Sequence, residues 1–467
     1  MEKRRFEPHD YQRRAIGWVL DHPRCGLFME MGLGKTICTL TAVQTLVDRM
    51  EVGAVLVIAP KKVAESTWSD EAASWAHLDL RVSVVTGTPA QRLAALREEA
   101  DVYVLGRDSV VWLQSLKASQ RPRFDMVVLD ELTSFKSPKS QRFKALRKML
   151  PTVSRVVGLT GTPTPNGLID LWAQIYCLDQ GQRLGPFVTR YRETYFHCLE
   201  KNNIPIKVWP KEGAEEAITA KISDICFSMK AADYLELPGV EHHDVKVSIG
   251  AKAYEGYCRF VKERVALLRA TSAKAEAQDQ VATVTAASAA ALVNKLAQYA
   301  NGCVYDEEGG EVEIHPAKVE MLMELVERAA SPVLCFYAYK HDLRRIMERA
   351  PKGLRVRAYA GPDDLRDWND GKIDLLLAHP ASTAYGLNMQ RGGHVIVWFS
   401  TGWNMELYKQ ANARLYRQGQ RSRVDIYRLI APGTVDERMA AALDGKERTQ
   451  ESVVRRLAME LQAGNGK

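Results

Sequence analysis

The sequence predicts an α/β protein: two lobes, each built on a parallel sheet, flanking a mostly helical insertion. Three observations carry this expectation. Short apolar runs recur at 54–58, 126–129, 155–159, 333–336, 374–378 and 395–398, each followed by a polar or glycine-rich turn. Helix-like stretches such as 36–50 and 91–99 lie between them. Such alternation is the signature of strands joined by covering helices. The pattern lapses between about residues 180 and 320 and then resumes.

The expected boundaries are a first lobe over 1–178, an insertion and connector over 179–318, a second lobe over 319–432 and a helical extension over 433–467. Within the insertion, residues 270–291 hold ten alanines and read as either an exposed helix or a mobile connector. Asp306-Glu-Glu-Gly-Gly310 is a turn signal.

A chain of 467 residues is long enough for about two to three domains. Its 46% hydrophobic and 26% charged residues suit ordinary globular cores. No apolar run approaches the ~18 residues of a membrane span. The start, Met-Glu-Lys-Arg-Arg-Phe-Glu-Pro, has no signal-peptide core. Eight cysteines without a Cys-x-x-Cys pair read as reduced thiols in a cytoplasmic protein. The net charge of +7 fits a polyanionic partner, and equally a solvated basic surface.

In parallel sheets ligands gather at the carboxyl ends of strands. Lys61, Asp130, Thr160 and Ser382 stand just after such ends. Glu30-Met-Gly-Leu-Gly-Lys-Thr36 opens a predicted helix. Glycines there let backbone N–H groups approach phosphate oxygens, and the helix N-terminus adds favourable partial charge. Lys35 suits the β- and γ-phosphates and the Thr36 hydroxyl suits Mg²⁺. The strict pattern has Gly where this chain has Met29. Taken alone, the segment is also readable as a glycine turn capping a core helix.

Asp130-Glu131 closes the run 126–129. A carboxylate there suits a metal's water shell, and its neighbour suits an attacking water. An acidic helix cap looks the same in isolation. Leu159-Thr-Gly-Thr-Pro-Thr-Pro-Asn166 is a hydroxyl-rich turn: through Thr160 and Thr162 it links a nucleotide site to a bound strand, or it is a plain capping loop. Gln410-Ala-Asn-Ala-Arg-Leu-Tyr-Arg-Gln-Gly-Gln420 places Arg414 and Arg417 three apart, expected on one helical face. They suit a transferring phosphoryl group or an exposed basic helix. The basic run 136–148 reads first as a solvated helix face. Trp403 is a candidate nucleic-acid contact or a packing residue.

In order, these segments resemble helicase superfamily two, and within it the Swi/Snf-like ATPases, across nearly the whole chain. Pro8-His-Asp-Tyr-Gln12 resembles the start of lobe one, where the family's Gln reads adenine; residues 29–36 resemble motif I, which does not require the first Gly. Ile58-Ala-Pro-Lys61 with Trp68 resembles motif Ia, Asp130-Glu-Leu-Thr133 the Asp-Glu box, and 159–166 motif III. Leu235-Glu-Leu-Pro238 and Lys295-Leu-Ala-Gln-Tyr-Ala-Asn301 resemble markers between the lobes. Ser382-Thr-Ala-Tyr-Gly-Leu-Asn388 resembles motif V, 410–420 motif VI, and Thr434-Val-Asp-Glu-Arg438 the segment after lobe two. Leu132-Thr133 stands where many relatives have Ala-His, Ala413 where Asp is common, and motif V lacks a double glycine.

The resemblance implies two RecA-like lobes and a DNA-stimulated ATPase that moves along double-stranded DNA, of a compact type met in phages and bacteria. It implies ATP contacts at Tyr11, Gln12, Gly32, Leu33, Gly34, Lys35, Thr36 and Gly386, and Mg²⁺ at Thr36 and Asp130. Glu131, Gln410, Arg414 and Arg417 are the implied catalytic residues. Lys61, Thr160, Thr162, Ser382 and Trp403 are the implied nucleic-acid contacts. A monomer without membrane association, in the cytoplasm (a host's if phage-encoded), is expected. A strand-separating DNA or RNA helicase and a non-catalytic nucleic-acid clamp are the competing readings.

Overall fold

The structure, a computed structural model, describes residues 3–161, 163–164, 167–201, 204–229, 238–276, 281–306, 308–383 and 387–444. It divides into two compact units, Met1–Glu236 and Leu237–Lys467.

In the first unit β1 (Arg24–Met29), β2 (Val55–Ala59), β3 (Val82–Val85), β4 (Val102–Gly106), β5 (Met126–Asp130), β6 (Arg155–Thr160) and β9 (Cys226–Met229) form one sheet in the order β3-β4-β2-β5-β6-β1-β9. Every pairing in it is parallel. Helices cover both faces of such a sheet, so its strands read as continuous apolar runs. Val-Leu-Val-Ile-Ala of β2 and Val-Tyr-Val-Leu-Gly of β4 are buried at every position. The guanidinium at the start of β1 has its N–H groups satisfied by carbonyls: Arg24 donates to Leu178 O, Leu150 O and Val153 O at 3.1, 3.0 and 2.6 Å. Between β6 and β9 the chain makes an antiparallel hairpin, β7 (Phe196–Lys201) with β8 (Ile204–Pro210).

The second unit repeats the design. β10 (Val240–Lys246), β13 (Val333–Phe336), β14 (Val356–Ala358), β15 (Leu375–Ala378), β16 (Val395–Trp398) and β17 (Val424–Ile430) form a sheet ordered β10-β17-β16-β13-β15-β14, also parallel. A small ladder, β11 (Cys303–Tyr305) with β12 (Glu311–Glu313), stands apart from it. The stretch expected as an insertion thus supplies β9 to the first sheet and β10 to the second, along with the long helices Ala251–Glu276 and Val281–Asn301.

A buried ionic network organises this unit. The fully buried Lys318 ammonium lies 2.7 Å from the Asp436 carboxylate and donates to Asn301 Oδ1 and Phe399 O at 2.8 and 3.3 Å. Asn301 Nδ2 donates to Asp342 Oδ2 at 3.0 Å. Buried charges persist only when paired in this way. The network explains two family markers: Asn301 and Asp436 meet on one lysine.

All eight cysteines are free thiols. No helix among the described residues is long and apolar enough to cross a membrane.

Candidate functional site

The first unit's candidate residues converge on the carboxyl edge of four adjacent strands, β2, β5, β6 and β1. Between β1 and the helix Lys35–Asp48, the glycine turn holds Gly32 and Gly34 at φ 85° and 77°, left-handed values that glycine adopts without a side-chain clash. At Gly34 a Cβ would lie 2.7 Å from Gln12 Nε2. Gln12 is itself buried and bridges two elements. Its Oε1 accepts from His9 N at 3.0 Å, and its Nε2 donates to Leu33 O at 3.4 Å. Tyr11 is 3% exposed and stacks on His9; burial, with Cys38 beside it, pushes its hydroxyl up to about 12. Thr36 occupies the second position of the helix. β9 supports the turn, with Glu30 N donating to Met229 O at 3.0 Å.

Lys35 Nζ folds back over the turn and donates to Met29 O at 2.8 Å and Glu30 O at 3.3 Å. Its charge is felt by Asp130, the last residue of β5. Burial raises the Asp130 carboxyl pKa, while the Trp68 indole, Lys35 and the Glu131 backbone oppose that rise. Trp68 Nε1 donates to Asp130 Oδ2 at 2.9 Å. Glu131 adopts φ 55°, a left-handed conformation uncommon outside glycine. Its carbonyl accepts from Ser134 N at 2.8 Å, and Thr133 Oγ1 donates to its Oε2 at 3.4 Å. Strain of this kind collects at functional sites, where the surroundings over-determine it.

Thr160 ends β6, fully buried, opposite Phe28 of β1. Gly161 lies beside the end of β1, where a Cβ would make ordinary contact with Met29 O at 3.5 Å. Gln174 anchors the next segment, its Nε2 donating to Pro163 O at 2.6 Å. Thr162 lies outside the described residues. Lys61 follows β2, exposed, 3.8 Å from Glu65. The run 136–148 divides into Lys136, 3.8 Å from Asp170, and the helix Gln141–Met149, which buries Phe143 and Leu146 and keeps its charges outward.

In the second unit Arg414 and Arg417 are brought together, though by a different device from the expected helical face. The helix Met405–Asn412 ends first, its last side chain accepting from Trp398 Nε1 at 2.9 Å, and both arginines lie in the turns beyond. They share one acceptor, Leu387 O, at 3.3 and 3.1 Å. Arg414 Nε also donates to Gln410 O at 2.9 Å, and Gln410 is buried. Motif V therefore supplies the carbonyl that gathers motif VI. Gln420 Nε2 fixes the loop by donating to Gln390 O, Gly393 O and Leu415 O. Ser382 sits in the short helix Pro380–Thr383 and donates to His379 O at 2.7 Å. Gly386 lies outside the described residues. Trp403, after β16, packs against the cluster of Tyr257, Leu292 and Leu296.

This donor set fits a nucleoside triphosphate with its metal. It offers a left-handed glycine turn at a helix N-terminus, a lysine folded over that turn onto the carbonyls of Met29 and Glu30, and a carboxylate within that lysine's field.

A family model described as the SNF2-related domain matches residues 11–207. A putative protein p41 of Acyrthosiphon pisum secondary endosymbiont phage 1 is 37% identical over 96% of this chain and 97% of its own length. An uncharacterized ATP-dependent helicase of Mycoplasma pneumoniae is 24% identical over 92% of this chain, which spans 40% of that protein. A solved structure, the Sulfolobus solfataricus SWI2/SNF2 ATPase core in complex with dsDNA, is 20% identical over 94% of this chain and 91% of its own, with a TM-score of 0.45. The chain belongs to the SNF2-related, Swi/Snf-like ATPases of helicase superfamily two. It is an ATP hydrolase of that class, as its motifs led us to expect.

Proposed function

We propose that this chain is a DNA-stimulated ATPase that moves along double-stranded DNA. The observation that supports it most is the shared edge of β5, β6 and β1, where Lys35, Asp130, Glu131 and Thr160 stand around one glycine turn. Lys35 would bind the β- and γ-phosphates, and Thr36 and Asp130 would hold Mg²⁺. The metal supplies charge neutralisation at the phosphate oxygens. Glu131 takes the proton of the attacking water. Arg414 and Arg417 exchange Leu387 O for the charge that develops on the transferring phosphoryl group. Lys61, Thr162 and Ser382 contact the DNA backbone, and the buried Thr160 couples that contact to the nucleotide site, so binding is weakly sequence-specific and weakens with salt. The protein acts as a monomer in the cytoplasm, that of the host where it is phage-encoded.

Strand separation is the second reading, and one element favours it. The β7–β8 hairpin carries Trp209, 39% exposed, stacked on His197 with ring centroids 5.5 Å apart. Unstacking a base pair costs a few kcal/mol per step, the task of an exposed aromatic wedge. Phosphate release is measured with and without duplex DNA, alongside displacement of a triplex third strand and opening of a forked duplex. We expect DNA-stimulated turnover and triplex displacement. Fork opening without triplex displacement, lost in Trp209→Ala, selects the second reading; turnover indifferent to DNA sinks both.

A further inference from the structure

We propose that Trp68 is the positioning residue for the metal-binding carboxylate of Asp130, a role that rests on the nucleotide and Mg²⁺ reading of the first unit's site. Trp68 is 1% exposed. A buried indole N–H requires an acceptor. Here the acceptor is a carboxylate oxygen, Asp130 Oδ2, at 2.9 Å. Hydrogen bonds to an ionised acceptor are about twice as strong as neutral ones. Engaging one carboxylate oxygen fixes the rotation of the group, so the other oxygen faces a set direction at the end of β5.

The local backbone is built for this contact. Between Lys62 and Trp68 the chain makes a π-turn, Val63–Thr67, before the helix Trp68–Ser74 begins. One extra residue in a helical turn shifts every later side chain by about 100° around the axis. Such insertions are frequent at functional sites. The shift aims Trp68 across to the neighbouring strand, since β2 pairs directly with β5. The segment therefore joins exposed Lys61 at one end to the Asp130 carboxylate at the other.

Partners that orient a metal ligand from behind typically set metal affinity by about 10–100-fold. The test measures binding of a fluorescent ATP analogue by the full chain as Mg²⁺ is titrated. Trp68→Phe keeps an aromatic ring and loses the donor; Trp68→His keeps a ring N–H and loses apolar area. We expect Phe to raise the Mg²⁺ concentration for half-maximal binding about tenfold or more, His to raise it less, and Mg²⁺-free nucleotide binding to stay at the wild-type level in both. A wild-type Mg²⁺ midpoint in the Phe variant, or a larger defect in His than in Phe, overturns the proposal. A measurement on the wild-type protein guards against misfolded variants. The Trp68 indole N–H resonance should move when Mg²⁺ is added at saturating nucleotide, and an unmoved resonance also overturns the proposal. Wild-type protein whose nucleotide binding ignores Mg²⁺ would instead sink the parent reading.

Discussion

The two units hold their functional cations in the same way but over different spans of chain. Lys35 rests on carbonyls five and six residues upstream, inside one turn. Arg414 and Arg417 rest on Leu387, 27 and 30 residues away. The first site is consequently a local device that a short motif can specify. The second exists only once β15, β16 and the following turns have been packed together by the unit's core.

That contrast makes the second site the more exposed to disruption, and Arg417→Ala is the harshest trial of it. An arginine that meets charge mainly in the transition state is worth about 10³–10⁵ in turnover. We expect kcat to fall by that order while ATP affinity changes little. Equal losses in both would mean ordinary ground-state binding and would erase the distinction between the sites. Stopped-flow phosphate release and equilibrium nucleotide binding measure the two quantities.

Lys318→Met attacks the second unit through its support. Removing one partner of a buried pair leaves Asp436 uncompensated, at about 3–5 kcal/mol. Denaturant unfolding should show that loss in the second unit while nucleotide binding by the first persists. Loss of nucleotide binding alongside it would show that the units do not stand separately.

The same core carries a pH dependence. Burial, then Arg345 and Lys318, lowers the His315 pKa from 6.5 to about 4. The unfolded chain binds this proton first, so the stabilisation is complete above about pH 6.5 and is lost as pH falls from there towards 4. The span corresponds to about 3 kcal/mol. Thermal unfolding between pH 4 and 7 should show the slope, and His315→Phe should flatten it.

The smallest change in stability is expected in the first site. A left-handed residue other than glycine costs on the order of 1 kcal/mol. Glu131→Gly should therefore raise the unfolding midpoint slightly while abolishing turnover. A lowered midpoint would mean that the Glu131 side chain, through Thr133, contributes more than its backbone costs.

Legibility follows the same division. The run 126–129 became Met126–Asp130 and the stretch 36–50 became Lys35–Asp48, because buried strands and a glycine-started helix are local patterns. The helix at 91–99 appears as Pro89–Arg97, begun by Thr88 and Pro89. β9 went unread because four residues carry no periodicity, although Met229 holds the glycine turn. β10 went unread because Glu241, His242, His243 and Asp244 crowd a strand whose partner is 184 residues away at β17. The arginine pair was legible as a spacing but not as a geometry, since the helix stops at Asn412 and the carbonyl of Leu387, from a distant stretch of chain, bonds to both. Trp68 was visible as a motif residue; its bond to Asp130 depends on the phase set by a π-turn, which sequence does not reveal.

The pairing of β10 with β17 also has a consequence for how the chain is made. Synthesis delivers every strand of the first sheet by Met229, so that sheet can close early. β10 leaves the ribosome next, yet its neighbour is absent until Val424 has been added. For that interval it is an unpaired strand, the kind of surface that captures other nascent chains. Its run Glu-His-His-Asp, poor material for a buried core, suits the wait: a charged strand stays soluble alone and pairs when its partner arrives.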